Sequence, residues 1–286
     1  MAATKETLHR YCQIVGKTRM ALTPRRNHWW HVTLRVATRG LTTGPMPYDG
    51  GDVEILLDLV DHRAVVLTSG GEVRELPLRD GLAVADFHDA LMAALADLGV
   101  RPRILARPYD IGGPPFPDDR EHAAYDAAAV ERYAAVLRSS AVAFERFAGR
   151  FVGKTSPVQL FWHSLDLAVT RFSGARVDPP DGVDAVTAEA YSHEVISFGF
   201  WAGDDNIPDA AFYSYTAPAP DGLTDRPLEP AAASWSTGAG GSLALLMYED
   251  ARAAGDVEAA VLAFFESAYR GGAELAGWDV EDLAAR

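Results

Sequence analysis

Ionisable side chains are concentrated on two predicted strands in the second half of the chain. Asp166 and His163 lie in an aromatic and aliphatic segment, and His193 and Glu194 lie in the next predicted strand. A carboxylate among apolar side chains is costly to bury alone, so Asp166 needs a partner. The pattern predicts Asp166, His163 and Glu194 as catalytic residues that transfer protons.

Arginine side chains offer a structural alternative to catalysis at Asp166. Either Arg171 or Arg39 can form a buried Asp–Arg pair that ties the two halves of the chain together. Alternation of period two places His163 on one face of a predicted strand over 160–171 and Asp166 on the other face. From the sequence, both roles of Asp166 remain open.

Histidines provide a second chemistry, because imidazole nitrogens and carboxylate oxygens are ligands of zinc and non-haem iron. The predicted metal ligands are His31, His163 and His193, with a divalent metal (zinc or iron) as the cofactor. Adjacent residues of a strand face opposite sides, so only one of His193 and Glu194 joins such a site easily. The alternative is an ordinary hydrogen-bonded role for each histidine. The other four histidines of interest lie on predicted helices or a turn, and we expect them at the surface: His9, His62, His88 and His122.

Aromatic residues cluster in the same predicted strands. Pockets for small molecules are typically lined by large rings and a few polar groups. The predicted ligand-binding residues are Trp30, Trp162, Arg171, Tyr213 and Tyr215. The alternative is that these aromatic rings fill the interior of a sheet.

One segment fits a permissive phosphate-loop pattern but lacks the surroundings that this chemistry needs. The segment is 148–155, and a phosphate loop follows a strand and precedes a helix whose N-terminus faces the phosphates. Here a helix is predicted before the segment, and Pro157 and a predicted strand follow it. A helix that ends at Gly153 is the simpler interpretation. The sequence also contains no G-x-S-x-G serine elbow and no His-Glu-x-x-His zinc-protease motif.

The composition is typical of a globular protein. The 286 residues are 48% hydrophobic and 23% charged, enough for one large domain or two medium ones. A formal net charge of −14 disfavours nucleic acid and anionic membrane surfaces as partners. Cys12 is the only cysteine, which excludes an intrachain disulfide framework. The N-terminus lacks the apolar core of a signal peptide, and no apolar run reaches about 18 residues. We therefore expect a cytoplasmic protein without a membrane span.

Hydrophobic periodicity predicts both helices and strands. Helices are expected over about 4–21, over 82–98, over 118–150 with Asp118 and Asp119 as caps, and after Asp256. Strands are expected over 31–39, 53–60, 63–68, 73–78, 103–106, 160–171, 194–201, 212–216 and 243–248.

The two halves of the chain share an order of motifs. When the two halves are aligned, Trp30-His31 matches Trp162-His163, and at the same offset Thr38-Arg39 matches Thr170-Arg171. An internal repeat explains this order, and chance similarity is the alternative. The predicted fold class is α+β, with two similar, mainly antiparallel sheet-plus-helix halves bridged by a long central helix. The predicted boundaries are 1–117, 118–156 and 157–286, within one compact domain or, alternatively, two separable ones.

Several segments resemble a bacterial family known as domain of unknown function 5996. They are 161–174 (FWHSLDLAVTRFSG), 191–194 (YSHE), 211–215 (AFYSY) and 276–279 (AGWD). The resemblance extends over nearly the whole chain. It implies a stand-alone protein, and it supplies neither an activity nor a catalytic residue.

Two classes of function follow from these observations. In the first, a small organic molecule binds in an aromatic pocket where the halves meet, with acid–base or metal-dependent chemistry by His, Asp and Glu. In the second, the chain is a non-catalytic binding or protein-interaction module whose polar residues are structural pairs.

Overall fold

The structure is a computed structural model that describes residues 2–178, 182–204, 207–238 and 241–285. The chain divides into two compact units. Unit 1 comprises Met1–Arg26, Trp30–Arg138 and Leu160–Leu165, and unit 2 comprises Asn27–Trp29, Ser139–Gln159 and Asp166–Arg286. The described residues contain six α-helices and two antiparallel six-stranded sheets, which confirms the predicted α+β class. No helix in these ranges is both long and apolar enough to cross a membrane.

Unit 1 begins with helix α1 (Ala2–Leu22). Its apolar residues Leu8, Tyr11, Cys12 and Val15 recur at spacings of three and four, and all four are buried. This spacing places them on one face of the helix, as the sequence predicts. Every residue over 10–18 is buried as well, so this part of the helix is enclosed on all sides and not along its apolar face alone.

The sheet of unit 1 is a short antiparallel meander with one added strand. Its strands run in the order β1-β2-β4-β5-β6, and β3 pairs with β4. The bounds are β1 (Arg35–Ala37), β2 (Gly40–Thr42), β3 (Met46–Tyr48), β4 (Gly51–Asp58), β5 (Arg63–Thr68) and β6 (Val73–Pro77). Helix α2 (Val84–Asp97) follows and ends just before Gly99, whose φ of +79° suits a helix C-terminus.

Two predicted strands of unit 1 are wrong. The strand expected over 31–39 is reduced to β1, because Thr38-Arg39 forms the hairpin turn that pairs β1 with β2. His31 therefore lies in a turn that follows a 3₁₀ segment, Asn27–Trp29. The segment 103–106 is irregular, because Pro102 and Pro108 flank it and supply no backbone donors.

Helix α3 (Ala127–Ala148) contributes residues to both units. Its first turn is capped by Asp126, whose Oδ1 accepts a hydrogen bond of 3.1 Å from the backbone N–H of Ala129. The predicted start at Asp118 and Asp119 is wrong, because the chain there forms a 3₁₀ turn at Phe116–Asp118. The bridging role of this helix stays a prediction.

Unit 2 contains strands β8 to β12 of the second sheet and three further helices, whereas Leu160 and Phe161 of β7 belong to unit 1. Strands β11, β12, β10, β9 and β8 are neighbours in that order. The bounds of the strands are β7 (Gln159–Phe161), β8 (Asp166–Arg176), β9 (His193–Trp201), β10 (Ala211–Ala217), β11 (Ser234–Gly238) and β12 (Gly241–Met247). The helices are α4 (Ala185–Ala190), α5 (Tyr248–Ala253) and α6 (Val257–Leu275). Asp256 caps α6 as predicted, accepting a 3.0 Å hydrogen bond from Ala259 N–H.

Phenylalanine rings join α3 and α6 to the sheet of unit 2. The ring centroids of Phe147 and Phe198 lie 4.6 Å apart, and Phe265 lies 5.1 Å from Phe198 and 4.9 Å from Phe144. These separations are typical of edge-to-face and tilted packing in protein cores. On this face of the sheet, the aromatic residues are core.

The strand predicted over 160–171 is interrupted by a turn at 162–165. Leu165 has a φ of +56°, a left-handed conformation that a β-branched or γ-branched residue adopts rarely and that ends an extended strand. The alternation that assigned His163 and Asp166 to opposite faces of one strand is therefore wrong. Instead, β8 begins at Asp166.

The motifs that suggested an internal repeat lie partly in different local structures. Trp30-His31 and Trp162-His163 both lie in turns, whereas Thr38-Arg39 forms a hairpin turn and Thr170-Arg171 lies within β8. The duplication and the boundaries at 117 and 156 stay predictions.

The contact between α1 and Trp162 gives a test of the packing in unit 1. A Cβ atom at Gly16 would lie 2.1 Å from Cδ1 of the Trp162 indole, so Gly16→Ala must displace the ring. We expect the free energy of unfolding to fall by about 1–3 kcal/mol from overpacking. Alanine's better helix propensity, about 1 kcal/mol, reduces this loss but leaves the sign unchanged.

Urea unfolding followed by tryptophan fluorescence measures the effect. Gly112→Ala is the matched control, because a Cβ atom there has no neighbour within 4 Å. A Gly16→Ala variant as stable as the parent would show that the indole does not lie against α1.

Candidate functional site

Helix α1 carries a stripe of polar residues next to its apolar face. His9, Gln13 and Lys17 follow one another at spacings of four, which aligns them along one side of the helix. Gln13 is 0% exposed and Lys17 is 4% exposed. Polar groups that are buried this deeply need hydrogen-bond partners, so their surroundings decide what the stripe does.

Two members of the stripe bind the backbone of loops in unit 1. The amide of Gln13 donates to Tyr109 O at 2.9 Å and accepts from Tyr109 N at 2.8 Å. The imidazole Nε2 of His9 donates to Trp162 O at 2.9 Å and to His163 O at 3.0 Å. These bonds hold Tyr109, Trp162 and His163 against α1.

Three rings surround this end of the stripe. The ring centroids of Tyr109 and Trp162 are 6.4 Å apart, and Tyr109 lies 6.0 Å from the His163 ring. The indole N–H of Trp162 donates to Val32 O at 2.8 Å, which fixes the ring. Tyr109 is 52% exposed, so the rings reach the surface there. We call this group the Lys17 site: His9, Gln13, Lys17, Tyr109, Trp162 and His163.

The ammonium group of Lys17 contacts rings and has no counter-ion among the described residues. Its Nζ lies 5.4 Å from the Trp162 ring centroid and 6.0 Å from that of Tyr109. Burial lowers the pKa of Lys17. On the same helix, Arg10 is equally buried but lies 3.3 Å from a carboxylate oxygen of Asp119. Within the part of the chain that the structure describes, Lys17 is thus a buried lysine without an opposite charge beside it.

This arrangement contains predicted residues and residues that the sequence interpretation missed. Trp162 and His163 were predicted, and both lie in the Lys17 site. His9 and His88 were expected at the surface, which is wrong. His9 donates to two backbone carbonyl groups, and His88 is buried with its ring beside that of Phe116. The missed signal is the polar stripe of α1, in which three polar residues recur at spacings of four beside an apolar face.

Asp166 lies in unit 2 and has a neutral partner. The hydroxyl of Tyr213 donates to Asp166 Oδ2 at 2.5 Å. In the sheet, Tyr213 is opposite Gly199, and a Cβ at Gly199 would lie 2.2 Å from Cζ of the Tyr213 ring. The missing side chain at Gly199 therefore lets the tyrosine lie across β9 and reach β8.

The alternative Asp–Arg pair does not form with either predicted arginine. Arg171 is five positions from Asp166 on β8 and so faces the other side of the sheet. It is 1% exposed, donates to Phe147 O at 2.6 Å and stacks 3.6 Å from the Phe147 ring centroid. Arg39 instead pairs with Asp58 at 2.8 Å in unit 1. Arg171, predicted to bind a ligand, lies in the core of unit 2.

Tyrosines extend the polar face of the sheet in unit 2. The Tyr213 and Tyr215 rings are stacked, with centroids 6.2 Å apart, and Tyr191 OH donates to Tyr215 OH at 3.2 Å. Burial raises the pKa of both Tyr213 and Tyr215 well above its usual value, and the Asp166 carboxylate adds to this effect at Tyr213. These two hydroxyls therefore act as hydrogen-bond donors and not as tyrosinate bases.

Glu194 is also held by neutral donors. One carboxylate oxygen, Oε2, accepts from Ser173 Oγ at 2.7 Å and from Trp278 Nε1 at 2.9 Å. The predicted catalytic role of Glu194 stays a prediction, and its geometry is that of a structural acceptor.

His193 lies beside a histidine and a lysine in unit 2. The rings of His28 and His193 are 5.6 Å apart, and Lys154 Nζ lies 2.7 Å from His28 Nε2. Burial, together with the neighbouring positive charge of Lys154, lowers the pKa of both His28 and His193. These basic groups form a second cationic cluster.

The predicted metal ligands do not meet in a recognisable metal site. Within the described ranges, no group of three or more His, Cys, Asp or Glu side chains could hold a metal ion. In unit 1, His31 Nδ1 accepts from Arg26 N at 3.3 Å, and the His31 carbonyl accepts from Arg19 Nε at 2.9 Å. Trp30, predicted to bind a ligand, is half-buried and accepts from Thr33 through its carbonyl group.

The comparisons with known proteins place the chain in one family. The model of a family described as "Family of unknown function (DUF5996)" matches residues 1–285. No curated protein and no solved structure matches the chain significantly.

The buried imidazole of His9 predicts a loss of stability in mild acid. Burial lowers its pKa to about 4, so the unfolded chain, with a histidine pKa of about 6.5, binds the proton more readily below neutrality. The contribution of His9 is complete above pH 6.5 and is lost as the pH falls towards 4. Between pH 7 and pH 5, this loss amounts to about 2 kcal/mol.

Urea unfolding of the parent and of His9→Gln, at intervals from pH 7.5 to pH 5, isolates this contribution. Glutamine keeps a donor but does not titrate, so the difference in free energy of unfolding between the two proteins should change with pH. A difference that stays constant would contradict the assignment.

The hydrogen bond between Tyr213 and Asp166 predicts a specific cost of removing one hydroxyl. We expect Tyr213→Phe to lower the free energy of unfolding by about 1.5–3 kcal/mol, because it leaves a buried carboxylate without that donor. The matched control is Tyr48→Phe in unit 1, a half-buried tyrosine at the end of β3. If urea unfolding showed the same loss in free energy of unfolding for both variants, the hydrogen bond between Tyr213 and Asp166 would be contradicted.

Proposed function

Because the chain belongs to this family of unknown function, we propose its function from its own side chains: unit 1 binds a small organic anion at Lys17. The ligand carries a carboxylate or a phosphate ester. The observation that supports this proposal is the position of Lys17: the residue is 4% exposed, its Nζ lies beside the Trp162 and Tyr109 rings, and it has no counter-ion among the described residues.

The cost of burying a charge is the physical argument. An ion removed from water loses several kcal/mol of solvation, and folded proteins normally compensate with a partner of opposite charge. Arg10 follows this rule through Asp119, whereas Lys17 does not. An anionic ligand would supply the missing charge, and its binding energy would come largely from this ion pair in a medium of low polarity.

The rings of the Lys17 site favour ligands that carry an apolar or planar body next to the anionic group. Tyr109 and Trp162 present apolar surfaces beside the ammonium group, and Tyr109 is exposed enough to contact a ligand that enters from solvent. A charged head with a planar or apolar body suits this combination. The net charge of −14 makes the surroundings unfavourable for polyanions, so a small anion fits better than a nucleic acid.

Acid–base chemistry on the bound molecule would involve Lys17 and His163. The lowered pKa of Lys17 makes a neutral amine more accessible than for a lysine in water. The His163 imidazole lies 6.0 Å from the Tyr109 ring and 6.1 Å from the Trp162 ring, beside the same two rings as Lys17. The metal-dependent chemistry suggested by the sequence is not part of this proposal.

A second candidate function is a non-catalytic binding or interaction module. Two of the three predicted catalytic residues favour it, because Asp166 accepts from Tyr213 and Glu194 accepts from Ser173 and Trp278. Carboxylates held by neutral donors are typical of structural roles. Under this candidate, small anions do not stabilise the protein.

Lys17→Met distinguishes these candidates, because methionine keeps the length of the side chain and removes the charge. We expect the ligand-free variant to be more stable than the parent, on the order of 1–3 kcal/mol, since an uncompensated buried charge is removed. Thermal unfolding with a panel of aliphatic carboxylates, aromatic carboxylates and phosphate esters should raise the Tm of the parent but not that of the variant.

Lys5→Met on the same helix is the matched control, and it should keep the response to the anion. The gain in stability of Lys17→Met should also shrink at alkaline pH. There the folded parent has already lost the Lys17 proton, while the unfolded chain, with a pKa of about 10.4, still holds it. A destabilised Lys17→Met variant, or an anion response that it retains, would overturn the proposal. Native mass spectrometry of tag-free protein complements this test by revealing any anion that copurifies.

A further inference from the structure

Lysine is rare in this chain, and its use in unit 2 is unusual. Of 26 basic Lys and Arg residues, three are lysines: Lys5, Lys17 and Lys154. Lys154 is exposed, yet its Nζ lies 2.7 Å from Nε2 of His28 and 4.7 Å from the centroid of the Phe172 ring. An amine that is open to solvent and also in contact with an imidazole nitrogen can exchange a proton with it.

The surroundings of His28 determine which ring nitrogen faces the lysine. Nδ1 of His28 lies 3.2 Å from the carbonyl oxygen of Glu189, which can only accept, so Nδ1 carries the proton. In the neutral ring, Nε2 is then a lone-pair acceptor directed at Lys154. The backbone N–H of His28 also donates to Glu189 Oε1 at 3.2 Å. The imidazole is therefore oriented as a proton acceptor for the amine.

Backbone strain supports this orientation. His28 and Trp29 have φ values of 53° and 58°, and two consecutive non-glycine residues in the left-handed region are costly. A backbone keeps such an unfavourable conformation only where surrounding contacts hold it there, which is common at functional sites.

We propose that Lys154 is a nucleophilic amine that forms an imine with a small 2-oxo acid, with His28 as the group that accepts and returns the proton. This second site lies in unit 2 and is independent of the anion site proposed at Lys17.

The reaction balances without a further reagent. His28 Nε2 accepts a proton from the Lys154 ammonium group, and the neutral amine attacks the carbonyl carbon to form a C–N bond. The carbonyl oxygen takes a proton from the attached nitrogen and becomes a hydroxyl group. His28 then returns its proton to this hydroxyl group, and the C–O bond breaks to release water as the nitrogen lone pair forms the C=N bond. The products are a protonated imine and one water molecule.

Neighbouring basic groups explain why the carbonyl compound should carry a carboxylate. His193 lies 5.6 Å from His28, and Arg176 is opposite His193 in the pairing of β8 with β9. Burial lowers the pKa of Lys154, and burial together with nearby positive charge lowers the pKa of His28 and His193. The positive charge of Lys154 and Arg176 acts on His193, and it would attract the carboxylate of a ligand in addition to that of Glu189, whose Oε1 accepts from His28 N–H. The Phe172 ring, 4.8 Å from His28, gives the site an apolar wall.

Reductive trapping tests the proposal on the full chain. The protein is incubated with pyruvate and sodium cyanoborohydride, which reduces an imine to a stable secondary amine, and peptide mass spectrometry locates the adduct. We expect the label at Lys154, formed at least about tenfold faster than at Lys5, the half-buried lysine of α1 that serves as an internal reference. Lys154→Arg should abolish this label and leave Lys5 labelling unchanged.

Two histidine variants separate proton transfer from recognition of the carboxylate. His28→Gln should slow labelling at Lys154 at least about tenfold with both pyruvate and neutral propanal. His193→Gln should slow labelling with pyruvate but not with propanal. His122→Gln, a substitution in unit 1, is the control and should change neither rate. Circular dichroism establishes that each variant is folded. If His28→Gln unfolds, the labelling rates of His193→Gln with pyruvate and with propanal still test the proposal.

The proposal is overturned if Lys154 is labelled no faster than Lys5, or if folded His28→Gln reacts at the rate of the parent. It is also overturned if pyruvate and propanal respond equally to His193→Gln. Lys17→Met separates the two sites: it should lose the stabilisation by anions and keep the label at Lys154.

Discussion

The burial of polar side chains along α1 is the constraint on which the architecture of unit 1 depends. Each buried donor or acceptor must find a partner, because the interior provides no water to replace one. Gln13 meets this need with the backbone of Tyr109, and His9 with the carbonyl groups of Trp162 and His163. These bonds bring two distant loops onto one helix face. Lys17 in this stripe lies beside rings and has no counter-charge among the residues that the structure describes.

In unit 2, charged side chains are buried on both faces of one sheet. The face towards α6 is filled by phenylalanine rings, and even the guanidinium group of Arg171 is stacked there between aromatic rings. On the opposite face, Tyr213 crosses the bare backbone of Gly199 to reach Asp166. Because side chains alternate along a strand, the charges of Arg171 and Asp166 are kept on separate faces and are satisfied separately. The sheet thus buries both a cation and an anion without pairing them.

Lysine, and not arginine, occupies the two unusual basic positions in this arginine-rich chain. A guanidinium group remains protonated in any protein environment, whereas an amine can lose its proton when burial or a neighbour makes the charge unfavourable. Burial lowers the pKa of both Lys17 and Lys154, and the Nζ of Lys154 also lies 2.7 Å from Nε2 of His28. An arginine at either position would stay positively charged and could not provide a neutral amine.

The sequence by itself determined the α+β class, the family, and the elements with strong periodicity: α1, α2, α6, β4, β5, β6, β9 and β10. These elements are predictable because a buried face imposes a repeat of 3.6 or 2 residues that local sequence must carry. The sequence also directed attention to Trp162, His163 and Tyr213, since aromatic and ionisable residues are conspicuous in any strand-like segment. Only the tertiary structure decided that Trp162 and His163 lie in a turn, because a single left-handed residue, Leu165, ends the strand without any compositional signal. Only it decided that Lys17 has no counter-ion among the described residues, because the partners of a buried side chain depend on which distant loops pack on the helix.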